Sequence, residues 1–511
     1  MSELTPSRRR AAYATLIGGY VNIGVVIVQG VLLVPLYLYY IGPKLYGAWL
    51  GSGDIVGWLA IADMGLASLM IQRIGLAYGQ QNGRLVSQYL TTGLLMQLLM
   101  VTLLVAGTVL VSNWIPSLMS IHGVESNVLA GSIILAGVAS GFSILSNGVA
   151  GFAMALQRTV FMTIAALVGA LIGISITVVL LTQGWGLWAI PIGWVAREGC
   201  TLIGNGIYAV LLYRSTIYSP LTTSRYVLKD FIVVLPSMFA AKLGGALASR
   251  SEAALIAVFI RPEIATLYVL TKRAADIVRM VLDRFGSATF AGFSHLIGSG
   301  HKNRAVDVYQ EIMGLYTPIA IIAITVYMAI NQTFVTVWVG KDMFGGQVLT
   351  ILIGLAVLTS AGGNLINYLY GATGQIARSS QILLVEGILR LGIMALLLYW
   401  LGINGLPLAM ILTSMAVVFV TWSWTRRELE VPSRIHLAPQ RLLVMVLLLV
   451  PGMTAGRYVW ADTWLELVVV SIIFSTALMG TMLLVSLPLR TYVAGVGKQI
   501  RRKVVFLRNR G

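Results

Sequence analysis

An otherwise apolar stretch, 264–292, carries six charged side chains: Lys272, Arg273, Asp276, Arg279, Asp283 and Arg284. Lys272, Asp276, Arg279 and Asp283 are spaced four, three and four apart, so on a helix they share one face with alternating sign. Arg273 and Arg284 project at neighbouring angles and widen that polar stripe. The preceding apolar stretch, 231–257, adds Lys242, Arg250 and Glu252, and its Pro236 and Gly244-Gly245 loosen the helix. Across the two stretches six basic side chains stand against three acidic ones. Upstream, Asp54 and Asp63 fall in 47–71, and Arg197 and Glu198 in 187–213. The planar arginine fork matches phosphate oxygens. Arg279, Lys242, Arg250, Arg273 and Lys272 are therefore the candidate ligands of an anionic, phosphate-bearing substrate, with Asn22 as a neutral polar neighbour. Asp276, Asp283, Glu252 and Asp54 are the candidates for a coupling ion or for pairing with those cations.

For several of these groups a purely structural role is the alternative. Lys272 and Asp276 could fix helix packing, and Glu386 and Arg390, four apart near the cytoplasmic end of their helix, read as an ion pair. Asp63 precedes Met64-Gly65 at a helix turn, Arg73 reaches toward the interface, and Asn22 serves equally as glue between helices. Catalytic and cofactor constellations are not encoded. There is no phosphate-binding glycine loop and no Gly-x-Ser-x-Gly, and His122, His295, His301 and His436 are scattered. The lone Cys200 excludes a disulfide framework within one chain. The expectation is a protein without enzymatic activity, metal or cofactor.

The elements that hold these charges follow from composition. The chain has 511 residues, of which 58% are hydrophobic and 10% charged. Soluble proteins carry about 25% charged residues, so a soluble enzyme, a disordered chain and a coiled coil are all excluded, leaving an all-α polytopic membrane protein. Crossing the hydrocarbon layer takes about 20 apolar residues. Fourteen segments qualify, near 14–40, 47–71, 86–111, 127–155, 160–182, 187–213, 231–257, 264–292, 312–339, 347–371, 381–401, 404–424, 441–458 and 464–487. The first is too long for a cleavable signal and runs straight into the next span. An ionisable group at mid-membrane costs about 2.5–3.5 kcal/mol or more, so the charged face of 264–292 must line a wet cavity.

Charge placement sets the orientation. One set of alternating loops and termini holds 22 basic residues, from Arg8, Arg9 and Arg10 to the seven from Arg490 onward. The opposite set holds four: Lys44, Arg261, Lys341 and Arg457. This asymmetry puts both termini in the cytoplasm. It also accounts for most of the net charge of +17, which is topological and not a nucleic-acid footprint. The tail 490–511, with no acid, lies against anionic headgroups or acts as a plain positive-inside anchor.

A shift of 220 residues superposes Asn147, Gly151 and Arg158 on Asn367, Gly371 and Arg378, and Arg84, Val86 and Tyr89 on Arg304, Val306 and Tyr309. Gly184-Trp185-Gly186-Leu187 meets Asn404-Gly405-Leu406 to within a residue. The expected organisation is an N-lobe of six spans over 1–220 and a C-lobe of six over 221–440. Two further spans and a basic cytoplasmic tail follow over 441–511. An even number of spans per half makes the repeats parallel, enclosing a cavity that rocking opens to either side.

Tyr46-Gly47-Ala48-Trp49-Leu50, followed by Asp63-Met64-Gly65-Leu66 and Arg73, resembles the polysaccharide (O-antigen and exopolysaccharide) flippases of the multidrug/oligosaccharidyl-lipid/polysaccharide exporter superfamily. Gly405-Leu406-Pro407-Leu408-Ala409 is similar to that superfamily's later half. The resemblance implies two six-helix lobes and an alternating cavity lined by spans 1, 2, 7 and 8. It also implies an undecaprenyl-diphosphate-linked oligosaccharide as substrate. Fourteen spans also resemble the lipid II flippase branch, but the first span has Asn22 and Gln29 where that branch carries charged residues. The expected function is thus translocation of a lipid-linked oligosaccharide for cell-surface polysaccharide synthesis. Lipid II flipping and cation-coupled drug export in the same superfamily are the alternatives. Expected partners are membrane lipids, with a polysaccharide polymerase and glycosyltransferases as candidates and no nucleic acid. A monomer is expected because one chain supplies both lobes.

Overall fold

Runs of Leu, Val, Ile, Ala and Gly between glycine- and asparagine-containing turns fold as long helices, and no strand occurs among the described residues. The computed structural model describes residues 24, 27–59, 63, 65–298, 302–429, 447–456, 458–459, 461–485 and 490. Asn22, the N-terminal arginines and the tail beyond Arg490 lie outside these.

The chain forms two compact units, Met1–Thr266 and Leu267–Gly511. The first contains α1 (Ile27–Tyr40), α2 (Pro43–Leu59), α3 (Leu66–Gly79), α4 (Gly83–Ser112), α5 (Trp114–Leu118), α6 (Val124–Ala155), α7 (Val160–Thr182), α8 (Ala189–Thr216), α9 (Arg225–Ser249) and α10 (Glu252–Phe259). The division falls early in α11 (Pro262–Gly298). The second unit continues with α12 (Lys302–Val339), α13 (Gln347–Ala372), α14 (Ile376–Leu401), α15 (Gly405–Glu428), α16 (Leu449–Ala455) and α17 (Trp464–Val485). Seven helical segments among the described residues are long and apolar enough to cross a membrane. The architecture is that of an all-α polytopic membrane protein.

Two spans expected to be continuous are broken. Segment 47–71 divides into α2 and α3, with Gly65 at φ +80° between them. That left-handed conformation favours glycine. Segment 231–257 divides at Arg250-Ser251 into α9 and α10. The amides at the start of α10, which have no partner within that helix, gain a cap from another helix, because Asp54 of α2 accepts from the Ala254 N–H at 3.1 Å.

Each unit has its own core. Leu66, Met70, Ile74, Val86, Tyr89 and Phe231 are buried together in the first, and Leu282, Phe293, Tyr309, Tyr316 and Leu365 in the second. Tyr89 and Tyr309, matched by the 220-residue shift, thus both anchor a core. The order helix, short turn, helix, 3₁₀ turn, helix also recurs, as α6–α7–α8 around Gly186–Trp188 and as α13–α14–α15 around Gly402–Asn404. In lipid, helices associate through close packing of small residues. Between α7 and α8, a Cβ at Gly193 would collide with the Thr177 hydroxyl and the Gly173 carbonyl.

Candidate functional site

In the first unit the charged groups are organised around α9. Lys242 Nζ lies 2.7 Å from Asp63 Oδ2, beside the left-handed turn at Gly65. The Asp63 side chain is 11% exposed and that of Lys242 is 45%, so the ammonium remains reachable by a second anion. Asp63 Oδ1 is buried without a hydrogen-bond partner. Arg250, at the break after α9, packs along Gly57 of α2, close enough that a Cβ there would lie 3.1 Å from its guanidinium. Glu252 is buried in the first turn of α10, where a carboxylate favours the positive end of the helix dipole. Lower on α9, Arg73 Nη2 pairs with Asp230 Oδ1 at 2.8 Å, and Tyr89 Oη donates to Asp230 Oδ2 at 3.3 Å. Arg73 is thus locked to a partner and does not simply extend to the interface. Asp230 was not singled out in the sequence; its signal is an acid beside Arg225 and Lys229 at the start of an apolar run.

In the second unit the stripe on α11 forms as its spacing dictates. Lys272 Nζ lies 3.3 Å from Asp276 Oδ1, and Arg279 Nε lies 3.5 Å from Asp283 Oδ2. Asn364 of α13 donates to Asp283 Oδ1 at 3.2 Å, a contact that a single polar residue in an apolar helix could have suggested. Arg273 makes no ion pair with any described residue and is half-buried. Arg284 is exposed on the same helix. The two internal pairs cancel, and Arg273 adds a positive charge beside them.

Glu386 and Arg390 form a buried ion pair on α14, extended by Arg390 Nε to Thr413 Oγ1 at 3.0 Å and Arg390 Nη2 to Ser414 Oγ at 2.8 Å. This pair is structural, as its spacing suggested. It lies well inside α14, ten residues after the first and eleven before the last, and not near either end of that helix. At the opposite extreme of burial, Lys44 pairs with Glu125 at 2.8 Å outside the spans. Hydrogen bonding to that carboxylate raises the Lys44 pKa above its ordinary value. Among the described residues, no group of three or more His, Cys, Asp or Glu side chains could hold a metal.

No family model matches the chain, and no curated protein matches it. Solved structures match its fold. A lipid II flippase, MurJ, in an inward closed conformation superposes with a TM-score of 0.66 and 12% identity, over 91% of this chain and 98% of that one. An inward-facing multidrug resistance transporter of the MATE family in the MOP superfamily gives 0.61 and 13%, over 80% and 98%. A MATE transporter of Vibrio cholerae gives 0.57 and 14%, over 84% and 99%. The fold is therefore that of MATE transporters and of a lipid flippase, proteins that move solutes or lipids across membranes.

Proposed function

We propose that the protein is a flippase of the bacterial inner membrane that carries an undecaprenyl-diphosphate-linked oligosaccharide from the cytoplasmic to the outer leaflet by alternating access. In this reading both termini are cytoplasmic and the chain has no enzymatic activity. The fold is shared by drug transporters and a lipid flippase, so the choice between them rests on charge. The observation that carries the proposal is the basic excess on α11, where Arg273 adds to the pairs Lys272–Asp276 and Arg279–Asp283. A cavity for cationic drugs calls for an acidic excess, and the two stretches around Lys242 and Arg279 have the reverse.

Arg279, Arg273 and Lys272 on α11 supply the phosphate contacts within the second unit, and Lys242 on α9 and Arg250 just after it are the corresponding cationic ligands of the first unit. The glycan occupies the wet cavity and the polyprenyl chain stays in lipid. Asp276 and Asp283 compete with phosphate for Lys272 and Arg279, so binding exchanges one anion for another without leaving a buried cation unpaired. An inside-negative potential favours outward movement of the anion by about 2.3 kcal/mol per charge per 100 mV.

The test is deletion of the gene followed by mass analysis of membrane-extracted polyprenyl glycans. The proposal expects a complete oligosaccharide on undecaprenyl diphosphate to accumulate where outside reagents cannot reach it. Unchanged lipid-linked glycans together with raised sensitivity to cationic drugs would overturn it in favour of an exporter.

A further inference from the structure

A second polar site lies wholly within the first unit. Helices α6, α7 and α8 border a half-open cavity of about 380 Å³, within the usual size range for small-molecule pockets. Nine of its thirteen lining residues are polar, in a chain that is 58% hydrophobic. Ser143, Ser146 and Asn147 come from α6, Thr163 from α7, and Thr201 and Asn205 from α8. Arg197 and Glu198 close one end, with Arg197 Nε 3.5 Å from Glu198 Oε1 and Arg197 Nη1 donating to Gln29 Oε1 at 3.3 Å.

Buried polar groups need partners. Thr201 satisfies itself on the Arg197 carbonyl at 2.8 Å, and Asn205 Nδ2 donates to Ser146 Oγ at 3.0 Å. Asn205 Oδ1, on a residue only 3% exposed, has no partner. Asn147 is exposed into the same space. Packing alone does not require such a lining. Helices α14 and α15 hold the same place in the second repeat as α7 and α8. Their groove, about 460 Å³, is lined chiefly by Val385, Leu389, Ile393, Ala416, Val417 and Val420.

The charge of the lining decides the ligand class. Arg197 and Glu198 neutralise each other, so neither an anion nor a cation is favoured. What remains is a mixed set of amides and hydroxyls, each able to donate and accept. Multiple hydroxyls on a neutral ring match that set. We propose that the cavity between α6, α7 and α8 binds a neutral saccharide unit through Asn147 and Asn205, with the Arg197–Glu198 pair at its end. This deepens the flippase reading by giving the glycan its own subsite, and it rests on that reading only for the identity of the sugar's carrier.

The experiment uses the full chain in nanodiscs and saturation-transfer NMR with a panel of free neutral hexoses and N-acetylhexosamines. Inorganic phosphate and choline serve as charged probes. At least one saccharide is expected to bind wild type and to lose at least tenfold in affinity in Asn147→Leu and in Asn205→Leu. Asn205→Leu also removes the bond to Ser146, so Asn147→Leu, whose side chain bonds to none of the described residues, keeps the test independent of folding. Arg279→Ala is expected to retain saccharide binding, which separates this site from the phosphate site. No saccharide binding in wild type, binding unchanged in Asn147→Leu, or competition at this site by phosphate or choline would each overturn the proposal. A flippase that fails the gene-deletion test yet passes this one would still hold a saccharide site.

Discussion

The individual charges divide by burial, and burial decides what their removal does. Arg390 and Glu386 are both almost inaccessible, and their remaining hydrogen-bonding capacity is met by Thr413 and Ser414. Truncating one partner leaves the other charge buried. Arg390→Ala should therefore cost about 3–5 kcal/mol, while Glu386→Leu with Arg390→Leu should recover most of that loss. Thermal unfolding in detergent across the double-mutant cycle checks both. In the Lys242–Asp63 pair only the lysine is well exposed, so losing it leaves a mostly buried carboxylate and should cost about 1–3 kcal/mol, between an exposed pair and a fully buried one. Export should fall far more than stability in Lys242→Met if that ammonium also meets substrate, and equal small losses in both would remove Lys242 from the site. The types of these residues were legible in the sequence because charges inside apolar runs are conspicuous. Their partners were less so. Helical spacing gave Lys272–Asp276 and Arg279–Asp283, but Asp63–Lys242 and Arg73–Asp230 join residues 179 and 157 apart, which no local period encodes.

At the scale of elements, helix positions were readable and helix breaks were not. Hydropathy averages over a window, so it runs through the turn at Gly65 and through Arg250-Ser251. One break coincides with a left-handed glycine, and the other is capped from a distant helix, by Asp54 accepting from the Ala254 N–H. Asp54 had been read as a candidate for ion coupling or charge pairing, and this bond gives it a definite structural duty. Asp54→Ala should destabilise the first unit by about 0.5–2 kcal/mol, with Asp54→Asn close to wild type because the amide oxygen still accepts. If Asp54→Asn instead stops transport at full stability, the carboxylate's charge is what matters. The α7–α8 contact makes a sharper demand. Gly193→Ile must push Thr177 and the Gly173 carbonyl aside, and a cost of about 1–3 kcal/mol or more is expected. Protein yield and unfolding temperature read this directly, and Gly206→Ala on the same helix, where a Cβ meets nothing within 4 Å, is the control.

For the whole molecule, a repeat written into the sequence does not by itself say how each half is furnished. The two units reuse the helix order α6–α7–α8 and α13–α14–α15, yet the first lines its groove mostly with polar side chains and the second mostly with apolar ones. Such divergence is expected of a carrier whose substrate has a charged link, a sugar and a hydrocarbon chain, since each demands a different solvent. The charged link gives the most direct test of the proposed function. Arg279→Ala removes the guanidinium from the middle of α11 and leaves Asp283 with Asn364 as its remaining partner. The stripe then loses one positive charge, so the anionic substrate should bind more weakly and export should drop at least tenfold, with accumulation of the lipid-linked glycan inside. Arg279→Lys keeps the charge but not the planar fork, and should fall between the two. If Arg279→Lys equals wild type, a point charge suffices and bidentate recognition of phosphate is wrong. If Arg279→Ala exports normally, α11 is not where the diphosphate is held. A dissipated membrane potential should slow wild-type export and change the residual rate of Arg279→Ala by the same factor, because the potential acts on the charge of the substrate and not on this side chain.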